Sequence, residues 1–225
     1  MISVFLPIRK NSQRVYNKNV RDFAGIKGGL TKIKLTQLLK LKEIDRIIVS
    51  TNCDSAVQIA NSFDNNKIQI DLRPEDLCLS STTTDELILY VNNIVEDGLI
   101  LWTHVTSPLF NELNYSEAIQ IYYEQNQIFD SLMSVSIHKG FYWKKNNPIN
   151  YDRNIQKWPF TQDIEPLIEI NNAVFIADSS IYKTYSDRIG KNPYLLETSK
   201  INSFDIDWQT DFDIAEQIYL NNVRN

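Results

Sequence analysis

Short apolar runs and segments with helical spacing alternate along the first two-thirds of this 225-residue chain. The strand-like runs are at residues 3–7, 46–51, 68–72, 98–103 and 131–137. The helix-like segments between them are at residues 31–42, 54–63, 84–95 and 114–124. Strands that alternate with helices form βαβ units. We therefore predict an α/β fold with a Rossmann-like, mostly parallel sheet and helices on both faces.

The alternation stops at about residue 138, where an aromatic and basic stretch begins. Residues 138–165 contain two prolines and show no sustained period, which predicts a small protruding lobe. Order then returns as a strand at 171–177, a helix at 179–185, a strand-like segment at 201–208 and a helix at 210–220. We predict one domain over residues 1–225 with an inserted arm at about 138–165.

Charge and composition exclude several classes of protein. The net charge of −5 argues against broad electrostatic binding of nucleic acid. No apolar run approaches the ~20 residues of a membrane-spanning helix, and the N-terminal residues resemble a strand more than a signal peptide. The two cysteines lack CxxC spacing, so a structural zinc site is not expected. The cytoplasm is the expected location.

A basic segment, residues 9–21, stands out in this acidic chain. It contains no acidic residue and five cations: Arg9, Lys10, Arg14, Lys18 and Arg21. A strand, a polar turn at Asn11 and Ser12, and spaced cations supply the donors that a phosphate chain needs. A solvated basic loop explains the segment equally well. Neither a Walker A pattern nor GxGxxG is present.

A second candidate feature is the paired aspartates in SFDIDWQTDFDIAE. On a strand, Asp205 and Asp207 point to the same face, while Phe204, Ile206 and Trp208 face the core. Two such carboxylates, together with substrate phosphates, suit Mg²⁺. The alternative is an edge strand that carries solvated acids.

A third feature is THVTSPLF, which follows the strand at 98–103. His104, Thr106 and Ser107 offer polar side chains there, although a simple turn accounts for them as well. Ligands of open α/β sheets bind beyond the carboxyl ends of the strands. We therefore expect this loop (104–110), residues 51–53 and the segment at 7–19 to meet at one crevice.

These pieces, in this order, resemble the acylneuraminate cytidylyltransferase family over essentially the whole chain. The family's opening pattern (I/L)-(P/L)-A-R-x-(G/N)-S-K-x-x-P-x-K-N reads here as LPIRKNSQRVYNKN. Its VSTD, L-R-P-x-x-L, Q-P-T-S-P-L-R and N-G-A-I-Y-I motifs read as VSTN, LRPEDL, HVTSPLF and NNAVFI. The fourteen residues SFDIDWQTDFDIAE match the family's S-I-D-I-D-x-x-x-D-x-x-x-A-E and are the most specific part.

The resemblance implies a role for each matching residue. Nucleotide binding is implied for Arg9, Asn11, Ser12, Lys18, Asn19, Arg73, Thr82 and Thr84. Sugar binding is implied for His104, Thr106, Gln162 and Asn171. Asp205 and Asp207 would hold Mg²⁺, and the residues expected to act in catalysis are Arg9, Lys18 and Asp207. The arm would serve dimerisation, so a homodimer is expected, without nucleic-acid or membrane partners.

The expected reaction is transfer of CMP from CTP to an acidic 2-keto-3-deoxy sugar, with release of pyrophosphate. The chain departs from the family pattern mainly on the sugar side. The departures are Gln13, Tyr16, His104, Phe110, Thr161, Glu169 and Phe175. Two alternatives stay open: a glycosyltransferase whose DxD binds a nucleotide sugar, and a catalytically impaired homologue that binds CTP.

Overall fold

The computed structural model of the protein describes residues 1–10, 12 and 14–224. Its strands are β1 Ile2–Ile8, β2 Arg46–Thr51, β3 Ile68–Leu72, β4 Leu99–Trp102, β5 Ser131–His138, β6 Trp143–Lys144, β7 Asn147–Pro148, β8 Leu167–Asp178 and β9 Pro193–Glu197. Its helices are α1 Gly29–Leu39, α2 Asp54–Asn61, α3 Thr84–Ile94, α4 Glu112–Gln125, α5 Ser179–Tyr185 and α6 Gln209–Arg224. Each helix that the structure describes falls short, in length or in apolar content, of what a bilayer crossing requires.

Seven strands form the central sheet in the order β3-β2-β1-β4-β8-β5-β9. Strand β1 pairs in parallel with both β2 and β4, and β5 pairs in parallel with β9. Strand β8 runs antiparallel to its neighbours β4 and β5. The predicted α/β fold, with a Rossmann-like and mostly parallel sheet, is therefore confirmed.

Successive side chains of a strand point to opposite sides of the sheet, so each of its two apolar faces is covered by its own set of helices. In β1, Val4 and Leu6 pack on the face covered by α1, α2, α4 and α6. Phe5, between them, packs on the face covered by α3 and α5, together with Trp102 and Tyr182. Helices therefore lie on both faces, as the alternation predicted.

The arm leaves the sheet after His138 and the chain rejoins it at Leu167. It contains the small β6–β7 hairpin and a 3₁₀ turn at Thr161–Asp163. Several of its large apolar side chains are exposed, among them Trp158 and Phe160. The arm therefore packs less of its apolar surface than the sheet does.

Two predictions about the C-terminal third were wrong or incomplete. Residues 201–208 do not form a strand: 201–203 are a turn, and 204–207 lie outside the ladder. The alternation of apolar and acidic residues in that segment reflects the burial of Ile206, which is fully buried against the core. Trp208, which was expected to face the core, is 58% exposed. Strand β9, which pairs with β5, was not predicted, because it is short and shows no clear alternation.

Candidate functional site

The basic segment and the loop after β4 meet beyond the carboxyl ends of β1 and β4, as expected. They enclose a basic pocket of about 220 Å³. Six of the predicted site residues line it: Arg9, Ser12, Lys18, Asn19, His104 and Thr106. The Asn19 side chain donates to the Arg9 carbonyl at 3.2 Å and so holds the segment in a turn. Asn11 and Gln13 lie outside the described residues.

The paired aspartates lie on a loop and not on a strand, which corrects the prediction, and Asp207 contacts Arg14 and Lys18, which line this pocket. The Ile206 amide donates to the Thr106 carbonyl at 2.9 Å, which ties residues 205–207 to the loop after β4. Arg14 Nη2 lies 2.7 Å from Asp207 Oδ1, and Lys18 Nζ lies 3.9 Å from the same oxygen. Lys18 also donates to the Ile206 carbonyl. Two predicted features that are almost two hundred residues apart are therefore in direct contact.

Burial sets the electrostatics of this contact. Oxygen Oδ1 of Asp205 is buried and accepts no hydrogen bond from the described part of the chain. Burial raises the pKa of Asp205, with Thr106 acting in the opposite direction. Burial also lowers the pKa of Lys18, while Asp205 and Asp207 raise it. The site thus holds an unpaired carboxylate oxygen beside a paired one.

This pair of carboxylates fits a divalent cation that takes its remaining ligands from the substrate. The unpaired Asp205 Oδ1 is an oxygen donor without a partner, and Asp207 lies next to it on the same loop. Mg²⁺ is commonly held by one or two carboxylates plus substrate phosphates. Among the described residues no cluster of three or more His, Cys, Asp or Glu completes an all-protein metal site. Any Mg²⁺ here would therefore need phosphate or water oxygens.

A second cavity, the acidic groove, adjoins the aspartates on the side of β5, β8 and β9. Its volume is about 670 Å³. Its titratable lining residues are His138, Glu169, Glu197, Lys200, Asp205 and Asp207. Asn171 lines it too, and its amide donates to Ser136 Oγ at 3.1 Å and Thr198 Oγ1 at 2.9 Å. The predicted sugar residue Asn171 therefore reaches the groove with its amide hydrogens already engaged.

His104 lies between the basic pocket and the sheet. Its Nε2 accepts a hydrogen bond from Trp102 Nε1 at 3.0 Å, so in the neutral ring the hydrogen is on Nδ1. Burial, and then the charges of Arg188, Lys18 and Lys34, lower its pKa to about 3. The ring is therefore neutral at physiological pH and can act as a hydrogen-bond donor through Nδ1.

Arg73 lies at the other end of the site and is buried. Its Nε donates to Cys78 Sγ at 3.2 Å, and its Nη1 has no partner among the described residues. Arg9 Nη1 donates to the Leu79 carbonyl at 3.1 Å, which brings this segment to the basic pocket. The Arg73 Nη1 atom is thus buried and unpaired, and Arg73 lies outside the linings of the basic pocket and the acidic groove.

Three other predicted residues lie outside the linings of both cavities. Thr82 donates to the Asp76 carbonyl at 3.2 Å, and Thr84 is the exposed first residue of α3. Gln162 is exposed on the 3₁₀ turn of the arm. The structure of this chain therefore does not bring Thr82, Thr84 or Gln162 together with the aspartates.

Sequence analysis missed a buried lysine that holds the loop after β4. Lys34 of α1 is fully buried, and its Nζ donates to the carbonyls of Ser107 and Phe110, each at 2.9 Å. It also donates to the Tyr115 hydroxyl at 2.7 Å. The Tyr115 hydroxyl lies 2.6 Å from Thr103 Oγ1, which in turn donates to the Ala173 carbonyl. A lysine inside an apolar helical stripe was the signal that could have revealed it.

Comparisons with known proteins show which family the chain belongs to. A family profile described as cytidylyltransferase matches residues 3–224. N-acylneuraminate cytidylyltransferase of Escherichia coli O18:K1:H7 (strain RS218 / NMEC) is 24% identical over 226 residues, which cover 95% of this chain and 51% of that protein. The chain thus spans about half the length of the curated relative that it matches.

Solved structures share the fold. CMP:2-keto-3-deoxy-manno-octonic acid synthetase complexed with CTP superposes with a TM-score of 0.71 at 11% identity, covering 98% of this chain and 99% of that one. The 4-diphosphocytidyl-2C-methyl-D-erythritol synthase of Anaerococcus prevotii superposes with a TM-score of 0.68 at 15% identity, covering 97% and 95%. At these sequence identities the superpositions show a shared fold only. The profile match over residues 3–224 shows that the chain belongs to the cytidylyltransferase family.

Proposed function

We propose that this protein transfers CMP from CTP to an acidic 2-keto-3-deoxy sugar and releases pyrophosphate. The observation that supports this proposal most directly is the contact between the basic segment and the paired aspartates. Arg14 and Lys18 reach Asp207 at the carboxyl end of the sheet, beside the unpaired Asp205 Oδ1. Cations for a triphosphate and carboxylates for its counter-ion are therefore adjacent, as phosphoryl transfer requires.

The two cavities divide the substrates between them in this proposal. The basic pocket would take the phosphates of CTP through Arg9, Ser12, Lys18 and Asn19, all of which line it. The unpaired Nη1 of Arg73 supports a nucleotide-binding role for that residue. The acceptor would approach from the side of His104, with its hydroxyl directed toward the edge of the acidic groove. Asp205 and Asp207 line that groove, so they would lie between acceptor and phosphates.

The reaction forms one bond and breaks one bond. The acceptor hydroxyl oxygen attacks the α-phosphorus of CTP, the bond from that phosphorus to the bridging oxygen breaks, and pyrophosphate leaves. The hydroxyl proton is released to solvent. Lys18 and Arg9 would balance the charge that develops on pyrophosphate, and positioning supplies most of the acceleration. Mg²⁺, held by Asp205 and Asp207, would supply charge neutralisation of the phosphates.

The proposal includes a homodimer in the cytoplasm. The exposed apolar side chains of the arm, such as Trp158 and Phe160, support a partner surface there. Gln162 lies on the same arm. In a dimer the arm could bring Gln162 to the partner's site. Sedimentation equilibrium tests this part: a mass of 26.2 kDa at micromolar concentration would contradict the dimer.

A pyrophosphate-release screen tests the function. The reaction contains Mg²⁺, one of the four nucleoside triphosphates, and either N-acetylneuraminate or 3-deoxy-manno-octulosonate. We expect pyrophosphate release with CTP and one of these acids. With Asp207→Asn the rate should be about 100-fold lower, because one positioned charged group stabilises such a transition state by about 3 kcal/mol. Asp213→Asn is the matched control, since Asp213 is an exposed residue of α6 that pairs with Gln209.

The outcomes separate the alternatives. No pyrophosphate with either acid, together with CTP binding by calorimetry, would favour an impaired homologue over the proposed enzyme. Turnover of a nucleoside-diphosphate sugar would favour the glycosyltransferase. Equal activity of Asp207→Asn and Asp213→Asn would show that Asp207 has no role in the reaction.

A further inference from the structure

The loop after α5 carries a guanidinium that has no polar partner in the described structure. The Cζ atom of Arg188 lies 3.7 Å from the centroid of the Phe175 ring and 5.1 Å from that of Trp102. Its guanidinium makes no hydrogen bond or ion pair with any residue that the structure describes. The loop itself is fixed, since Asp187 Oδ1 accepts from the amides of Arg188 and Ile189.

Two further donors lie beside Arg188. The hydroxyl of Tyr182 is buried and has no partner among the described residues. Burial raises its pKa, so that it stays protonated. His104 bonds to Trp102, the ring over which Arg188 lies, and its Nδ1–H donates to no described residue. Arg188, Tyr182 and His104 thus each carry a donor that has no acceptor among the described residues.

Another stacked arginine of this chain, Arg21, differs from Arg188 in its polar contacts. Arg21 lies over the Phe212 ring with its Cζ 3.6 Å from the centroid, which is nearly the distance found for Arg188. Arg21, however, is hydrogen-bonded to Gln209 Oε1 at 3.0 Å. Arg188 is mostly buried, and burial lowers its pKa. Charged groups with that degree of burial are normally paired, so an anion is the missing element.

The charge of the acidic groove indicates which anion this is. The groove contains four carboxylates against Lys200 and His138, and the His138 ring already faces Glu169 at 2.7 Å. An acidic acceptor placed with its hydroxyl near Asp207 would thus have its own carboxylate repelled from the groove. On the opposite side, next to His104, Arg188 provides a cation.

We propose that Arg188 binds the carboxylate of the acceptor sugar acid, with His104 Nδ1–H, on the wall of the basic pocket, as a neutral donor to the same group. The inference rests on the proposed function and adds to it the residue that selects an acid over a neutral sugar. Planar guanidinium groups bind carboxylates through two parallel hydrogen bonds, which supports Arg188 over a lysine in this role.

The test compares an acid with its own carboxamide. Steady-state pyrophosphate release is measured with whichever of N-acetylneuraminate and 3-deoxy-manno-octulosonate is turned over, and with the matching carboxamide. For Arg188→Gln we expect KM for the acid to rise by about 10–100-fold, as for loss of charged hydrogen bonds. We expect KM for CTP and the response to the carboxamide to change less than about twofold. Arg188→Lys should recover part of the loss. Lys191→Gln, which removes an exposed cation over the Tyr185 ring in the same loop, should behave as wild type.

Several results would overturn the inference. A fall in kcat with an unchanged KM for the acid, or equal losses for acid and carboxamide, would indicate that Arg188 only packs on Phe175. If wild type releases no pyrophosphate with either acid, the proposed function fails, and calorimetric titration of both acids then tests Arg188 separately. Equal affinity of wild type and Arg188→Gln for them, or no binding to wild type, would overturn the inference. Thermal unfolding of each variant verifies that it is folded.

Discussion

Replacing the buried Lys34 by methionine tests how the loop after β4 is held. The ammonium serves three acceptors, at 2.9, 2.9 and 2.7 Å. After Lys34→Met, the Phe110 carbonyl loses its described donor, and the Ser107 carbonyl keeps only the Phe110 amide at 3.3 Å. The Tyr115 hydroxyl keeps its contact with Thr103. The substitution therefore leaves one or two buried carbonyl groups without an adequate hydrogen-bond donor.

The magnitude follows from these lost contacts. A buried acceptor left without a donor costs about 1–3 kcal/mol, and hydrogen bonds to a charged group are worth about 1.5–3 kcal/mol. We expect the free energy of unfolding to fall by about 2–4 kcal/mol. In a domain of this size 1 kcal/mol corresponds to about 2–4 °C, so Tm should fall by about 4–16 °C.

Guanidinium denaturation and thermal unfolding measure the effect. Lys32→Met is the matched control, because Lys32 is exposed on the same helix; its change should stay within about 0.5 kcal/mol. If Lys34→Met lost less than about 1 kcal/mol, the three hydrogen bonds would not be what stabilises the loop. The reasoning from unsatisfied carbonyl groups would then be refuted.

Two further predictions concern titratable groups at the site. Burial, followed by the charge of Arg188, lowers the pKa of His104 to about 3, so the unfolded chain binds this proton more readily than the folded one. Wild type should therefore lose stability relative to His104→Gln by up to about 1.4 kcal/mol per pH unit as pH falls below about 6.5, and a pH-independent difference in denaturation would contradict this. Asp205→Asn removes a carboxylate whose pKa is raised by burial, so Tm at pH 7 should not fall. The Mg²⁺ concentration for half-maximal pyrophosphate release should rise at least about tenfold, and an unchanged Mg²⁺ dependence would exclude Asp205 as a ligand.

The parallel sheet was predictable because its strands and helices have clear local signals. The run RIIVST, for example, forms β2 with the predicted bounds 46–51. The segment around Asp205 was mistaken for a strand, because alternation in sequence reports which side chains are buried and not which ladder they join. Ile206 is buried through packing under a loop, with its amide bonded to Thr106.

The site was only partly predictable for a related reason. The basic segment and the aspartates were found by their charge, which is visible in the sequence. Arg188 was missed because a lone cation in a loop has no local signal that distinguishes it from an exposed one. Lys34 was missed although its position within an apolar helical stripe was such a signal. Their roles depend on burial and on aromatic or carbonyl neighbours from distant parts of the chain.

The contact between Arg14 and Asp207 has a consequence for the order of events during biosynthesis. The two residues are separated by 193 positions, and Phe23 also packs on Phe212. At translation rates of about 5–20 residues per second, roughly 10–40 s pass between synthesis of the basic segment and synthesis of its partner. During that interval the cations have no carboxylate to face and Phe23 lacks its aromatic cover. A nascent chain stalled before residue 205 would therefore present a partly formed sheet without an assembled site.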